Sequence, residues 1–215
     1  MKMKKVLLLL SAILLLSCNT TSDKPDTVSD ESCSCGDTPH GEVLLQPYND
    51  FSQKEAVELK EILQVKINEI LHGDFQVKVL PNKTLPKEII SENKRYRTDK
   101  IVESLSEEAN DHKIIIGITH RDICVPDYKD RKNWGVLGSA YPPTYKSCVA
   151  SDYRVKNKKR DFWRVVVHEF IHTYFECSHC PDDNPKCIMK DAKGHADFSN
   201  KTDLCETCKD ALLMH

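Results

Sequence analysis

Across Asp161–Phe175 the chain sets His168, Glu169 and His172 among apolar residues (Phe162, Val165, Val166, Ile171, Phe175), and this segment constrains the fold more than any other. The apolar spacing predicts a helix, with Asp161 as its N-cap. Residues four apart on an α-helix are separated by about 400° of rotation, so His168 and His172 lie one turn apart on one face. A lone histidine on such a helix is most simply a packed core residue. Two in this register can grip one Zn²⁺, each at about 2 Å.

The rest of the chain frames that helix. Met1–Ser17 carries three lysines and then about a dozen apolar residues, the charged and hydrophobic regions of a signal peptide, too short to span a bilayer comfortably. It ends Leu15-Leu16-Ser17-Cys18, which resembles the lipobox of bacterial lipoproteins and implies a lipidated Cys18 holding the protein on a membrane of the bacterial cell envelope. Residues 18–40 are polar and read as a flexible tether, leaving 41–215 as one folded domain. After loss of 1–17 the charge is 28 basic against 33 acidic residues, a net of −5, which argues against a nucleic-acid partner.

Within 41–215, strands are expected at Glu42–Tyr48, Phe75–Leu80, Ile114–Thr119, Trp134–Tyr141 and Cys148–Val155. Ile114–Thr119 (IIIGIT) is apolar enough to be buried on both faces. Helices are expected over Phe51–Leu71, with a Ser52 cap and Glu55 three residues on, and over Thr98–Ala109. Residues 81–96 and Arg121–Arg131 read as loops, and the basic run 156–160 as a solvated connection to the next helix. The pattern predicts an α+β fold, a mixed twisted sheet with covering helices, followed by a cysteine-rich tail.

If a third ligand joined the two histidines, zinc would keep one position for water. Glu169 could then take that water's proton and pass it to a leaving amine, which is the chemistry of a zinc hydrolase, most often a peptidase. His179 follows seven residues after His172; His195, Glu176 and Cys177 are rivals for the same place. Cys205-x-x-Cys208 with a distant cysteine pair is zinc-knuckle spacing, although disulfides are the default in an oxidising envelope. Cys124 and Cys148 flank neighbouring strands and could pair; Cys33 and Cys35 lie in the tether, and Cys177 is left over.

Taken together, His168-Glu169-x-x-His172, His179-Cys180, Cys187-Ile188-Met189 and Cys205-x-x-Cys208 resemble the archaemetzincins, a branch of the metzincin zinc peptidases with the pattern H-E-x-x-H-x-x-G-x-x-H-C-x₄-C-x-M-x₁₇-C-x₂-C. The resemblance implies a metzincin-like domain, a catalytic zinc on His168, His172 and His179, and Glu169 as general base. It also implies a second, structural zinc on Cys180, Cys187, Cys205 and Cys208, Met189 in a turn beneath the catalytic metal, and a peptide or protein substrate paired along Trp134–Tyr141. The chain departs from the pattern in three places. Phe175 stands where the family has glycine, and the step to His179 is one residue longer. Six residues instead of four separate Cys180 from Cys187, and 15 instead of 17 separate Met189 from Cys205. The longer step and the lost glycine are read as compensating, through a wider turn that needs no positive φ. Were His179 displaced, the chain would instead be a catalytically inactive envelope binding lipoprotein stapled by metal, or a zinc-capture protein.

Overall fold

A computed structural model describes residues 38–142, 145–182, 184–193 and 198–213. The signal segment, Cys18, Cys33, Cys35 and nearly all of the tether lie outside these residues. The first strand begins at His40, one residue inside the segment read as tether.

Five strands form the main sheet: β1 (His40–Pro47), β2 (Asp74–Val79), β4 (Lys113–Thr119), β8 (Ser147–Ser151) and β7 (Gly138–Ala140), in the order β2-β1-β4-β8-β7. The first four run parallel, and β7 closes one edge antiparallel to β8. Helices α1 (Gln53–Leu71) and α3 (Lys158–Tyr174) cover one face of the sheet, and α2 (Thr98–Ser106) covers the other. Successive residues of β4 serve the two cores alternately: Ile114, Ile116 and Ile118 pack with α1 and α3, and Ile115 packs with α2. The expected helix α1 forms with its capping box, in which Ser52 accepts from the Glu55 N–H and Glu55 reaches back to the Ser52 N–H.

Two expectations change in the middle of the chain. Arg121–Arg131 is not a loop: β3 (Tyr96–Arg97), β5 (Ile123–Tyr128) and β6 (Arg131–Val136) form a second, three-stranded sheet. The register of β5 and β6 skips Pro126, whose missing N–H would break the ladder, and Asn133 takes a φ of 51° at that point. Trp134–Tyr141 is likewise two strands, since the chain leaves the small sheet at Leu137 and joins the edge of the main sheet as β7.

Helix α3 starts earlier than expected, at Lys158, and Asp161 is not its cap. Asp161 sits instead in the first turn, fully buried, where its carboxylate accepts from Arg160 and Arg164. An acid at this end also meets the positive pole of the helix dipole. A short helix α4 (Glu206–Leu213) ends the described chain.

Candidate metal centre

The C-terminal half of α3 brings His168, Glu169 and His172 to the core side, each less than a tenth exposed. Neither imidazole is free to choose its tautomer. His168 Nδ1 lies 2.7 Å from the Ile188 carbonyl, and His172 Nδ1 lies 2.7 Å from the Cys177 carbonyl. A carbonyl only accepts, so both rings carry their proton on Nδ1 and leave Nε2 as a bare lone pair. Burial holds His168 well below the usual histidine range and pushes His172 down to about 4, so neither ring is charged at neutral pH. Their Nε2 atoms stand 3.0 Å apart. Two lone pairs at hydrogen-bond distance with no proton to share repel each other, and a cation about 2 Å from each nitrogen removes the repulsion.

His179 completes the group. Its ring centroid is 5.2 Å from that of His168 and 4.7 Å from that of His172, and the three candidate ligand nitrogens lie within 4.8 Å of one another. Burial lowers its pKa as well, favouring the neutral imidazole that binds a metal. Its rivals do not join the group. Glu176 pairs with Lys146, Cys177 Sγ lies against the Ile171 carbonyl, and His195 falls outside the described residues.

The route from His172 to His179 corrects one expectation. Phe175 ends the helix at φ −94°, ψ 0°, outside the left-handed region, and Glu176 turns the chain with a φ of 52°. The turn therefore does use positive φ, moved one residue beyond the family's glycine position, which is the usual left-handed residue just past a helix end. Phe175 is released from that duty and packs into the main core.

A second cluster lies next to the first. The ligand atoms of Cys180, Cys187, Cys205 and Cys208 also lie within 4.8 Å of one another, with Cys180 Sγ 3.5 Å from Cys205 Sγ and Cys187 Sγ 3.7 Å from Cys208 Sγ. These are not disulfide distances, which are about 2.05 Å. Four sulfurs at 2.3 Å from a common centre form a tetrahedron with edges of about 3.8 Å, close to those observed. Burial pushes the Cys180 thiol up to about 11 and Cys208 higher still, while at Cys187 burial is outweighed by backbone hydrogen bonds at Cys205 and Met189, which hold it below the usual thiol range; a divalent cation would displace the remaining thiol protons.

One tripeptide ties the two clusters together. Cys187 supplies a sulfur, the Ile188 carbonyl orients His168, and the Met189 carbonyl accepts from the Cys180 N–H at 2.9 Å. Met189 itself is buried in the turn that the Lys190 N–H closes on the Cys187 carbonyl. The orienting carbonyls of Ile188 and Cys177 had no signal in the sequence, because every residue has a carbonyl and only the fold aims it. Cys124 and Cys148 are not paired; both are buried, on strands of different sheets.

Glu169 stands beside the histidines, and burial pushes its carboxyl up to about 8. A cation held by the neighbouring rings would favour the charged carboxylate, as opposite charge does within a few ångströms. The edge strand β7 passes directly over it, with one side paired to β8 and the other outside the sheet order.

The sequence matches no protein-family model and no curated protein. Solved structures do match. An archaemetzincin from Methanopyrus kandleri superposes with a TM-score of 0.66 at 23% identity, over 81% of this chain and 94% of that one. An archaemetzincin from Archaeoglobus fulgidus, complexed with malonate, gives 0.59 at 20% identity, over 79% and 99% of the two chains. A zinc-dependent peptidase from Methanocorpusculum labreanum gives 0.60 at 20% identity, over 80% and 100%. A mixed sheet closed by an antiparallel edge strand, with the two-histidine helix beneath it and a cysteine cluster behind, is thus an archaemetzincin-like fold.

Proposed function

We propose that this protein is a zinc-dependent peptidase, with His168, His172 and His179 holding the catalytic metal and Glu169 acting as its general base. The observation that carries this reading is the pair of buried, neutral imidazoles whose Nε2 lone pairs face each other 3.0 Å apart, with a carboxylic acid on the next residue. Zinc bound there would supply Lewis acidity toward a peptide carbonyl and a lowered pKa for water. Ile188 and Cys177 hold the two rings in the ligating tautomer through their carbonyls. Glu169 takes a proton from the attacking water at its carboxylate and returns it to the leaving nitrogen of the peptide. The free side of β7 offers backbone groups to an extended peptide or protein substrate.

The cysteine cluster is proposed as the site of a second, structural zinc on Cys180, Cys187, Cys205 and Cys208, closed to substrate. Residues 1–17 are proposed as a lipoprotein signal peptide and Cys18 as the lipidated residue anchoring the protein in the bacterial envelope. The gathering of His179 with the other two histidines supports the peptidase over the catalytically inactive alternative, which rested on its displacement.

Native mass spectrometry tests the metal sites without needing a substrate. Two zinc ions are expected, one after His168→Ala, and one after Cys208→Ser. Glu169→Gln should keep both ions and lose peptide hydrolysis by at least about 10²-fold. A single zinc indifferent to His168→Ala, or full activity in Glu169→Gln, would sink the reading.

A further inference from the structure

We propose that Gly138 is a positioning residue for Glu169: the side chain missing from the edge strand fixes where the carboxylate stands. A Cβ built on Gly138 would lie 2.5 Å from both Cγ and Oε1 of Glu169 and 2.6 Å from its Cδ. Side-chain carbons do not approach so closely, so any other residue at 138 forces Glu169 aside. The backbone conformation does not call for glycine here, since the one glycine with positive φ among the described residues is Gly41. Space does.

Among the described residues no hydrogen bond or ion pair reaches either carboxylate oxygen of Glu169. The two walls of its slot are themselves fixed. On the helix side the Thr173 hydroxyl donates to the Glu169 carbonyl at 2.8 Å. On the strand side Gly138 pairs with Ala150, and the Ser151 N–H donates to the Leu137 carbonyl at 2.7 Å. Packing against a bare backbone therefore does for this acid what hydrogen bonds do for the neighbouring histidines. Restoring ordinary contact at 138 requires the carboxylate to retreat by about 1 Å, a misplacement that can cost on the order of 10²-fold in rate.

The steric part of this inference is independent of the peptidase reading, and the catalytic part rests on it. A double-mutant cycle on thermal stability separates them. Gly138→Ala should lower the Tm by roughly 5 °C in the native background, as an overpacked core site does. In the Glu169→Ala background the same substitution should cost nothing, because the new methyl fills the vacated slot. If the single variant does not fold, Gly138→Ala/Glu169→Ala should. An equal loss in both backgrounds, no loss in the native one, or two unfolded variants would overturn the proposal. With a cleavable peptide in hand, Gly138→Ala should lower kcat about 100-fold with KM unchanged and both zinc ions retained. A raised KM at unchanged kcat would show Gly138 acting on the substrate strand instead and would also overturn it.

Discussion

Phe175→Gly would put glycine where the archaemetzincin pattern has it, and in this protein the change should be costly. Phe175 is 7% exposed, belongs to the main core and packs edge-on to Tyr174 at 4.8 Å. Removing a buried phenylalanine costs about 3–5 kcal/mol through lost transfer energy and the cavity left behind. Glycine adds about 0.5–1 kcal/mol of backbone entropy and recovers no strain, because residue 175 already has an ordinary negative φ. At about 2–4 °C per kcal/mol for a domain of this size, the Tm should fall by roughly 7–24 °C. Glu176→Gly is the control. It relieves about 1–2 kcal/mol of left-handed strain, gives up about 0–1 kcal/mol from the half-exposed ion pair with Lys146, and carries the same entropic cost, so the Tm should move by less than about 6 °C in either direction. Calorimetry of both variants at one fixed zinc concentration reads the difference, since bound metal shifts Tm by mass action. If Phe175→Gly were as well tolerated as Glu176→Gly, the left-handed turn would lie at 175 and this account of how the chain reaches His179 would fail.

Asp161→Ala should cost about 3 kcal/mol in urea unfolding, because it leaves the charge of Arg164, whose side chain is 11% exposed, with backbone carbonyls but no carboxylate, whereas Arg160→Ala should cost under about 1 kcal/mol since Arg160 is exposed; equal losses would refute the buried pairing. Burial pushes the Tyr48 hydroxyl up to about 12. Below pH 10 folded and unfolded chains both keep that proton; between about pH 10 and 12 only the folded chain does, so its contribution to stability is lost as pH rises through this window. Tyr48→Phe should flatten the alkaline limb of the stability curve, and an unchanged slope would show that the hydroxyl titrates normally. Stripping zinc with a chelator should open the Cys180–Cys208 region to trypsin at Lys186 and Lys193, because no helix or strand lies between α3 and α4 among the described residues to hold it; an unchanged digestion pattern would mean that hydrogen bonds suffice there.

Much of the fold was legible in residue spacing. The Ser52–Glu55 capping box, the apolar face of α1 and the double burial of Ile114–Thr119 are local patterns, and each formed as read. The second sheet was hidden because Pro126 and the charges around it look like loop, while the pairing that makes β5 a strand comes from β6 and β3. The break at Leu137 was hidden for the same reason, since both halves read as strand and only their partners differ. Asp161 looked like a cap because caps and buried first-turn acids share residue types.

The sequence by itself determined which groups could do chemistry. Helical periodicity alone puts His168 and His172 on one face, and the order of histidines and cysteines carried the resemblance to the archaemetzincins. Tertiary structure decided what those groups are. It aimed two carbonyls, from Ile188 and Cys177, at the Nδ1 atoms and so fixed the tautomers. It moved the left-handed turn to Glu176 and still delivered His179, and it laid Gly138 over Glu169. The division has one physical cause: side-chain spacing along a helix is set by its 3.6-residue turn, whereas a contact between distant backbones exists only after the chain has packed.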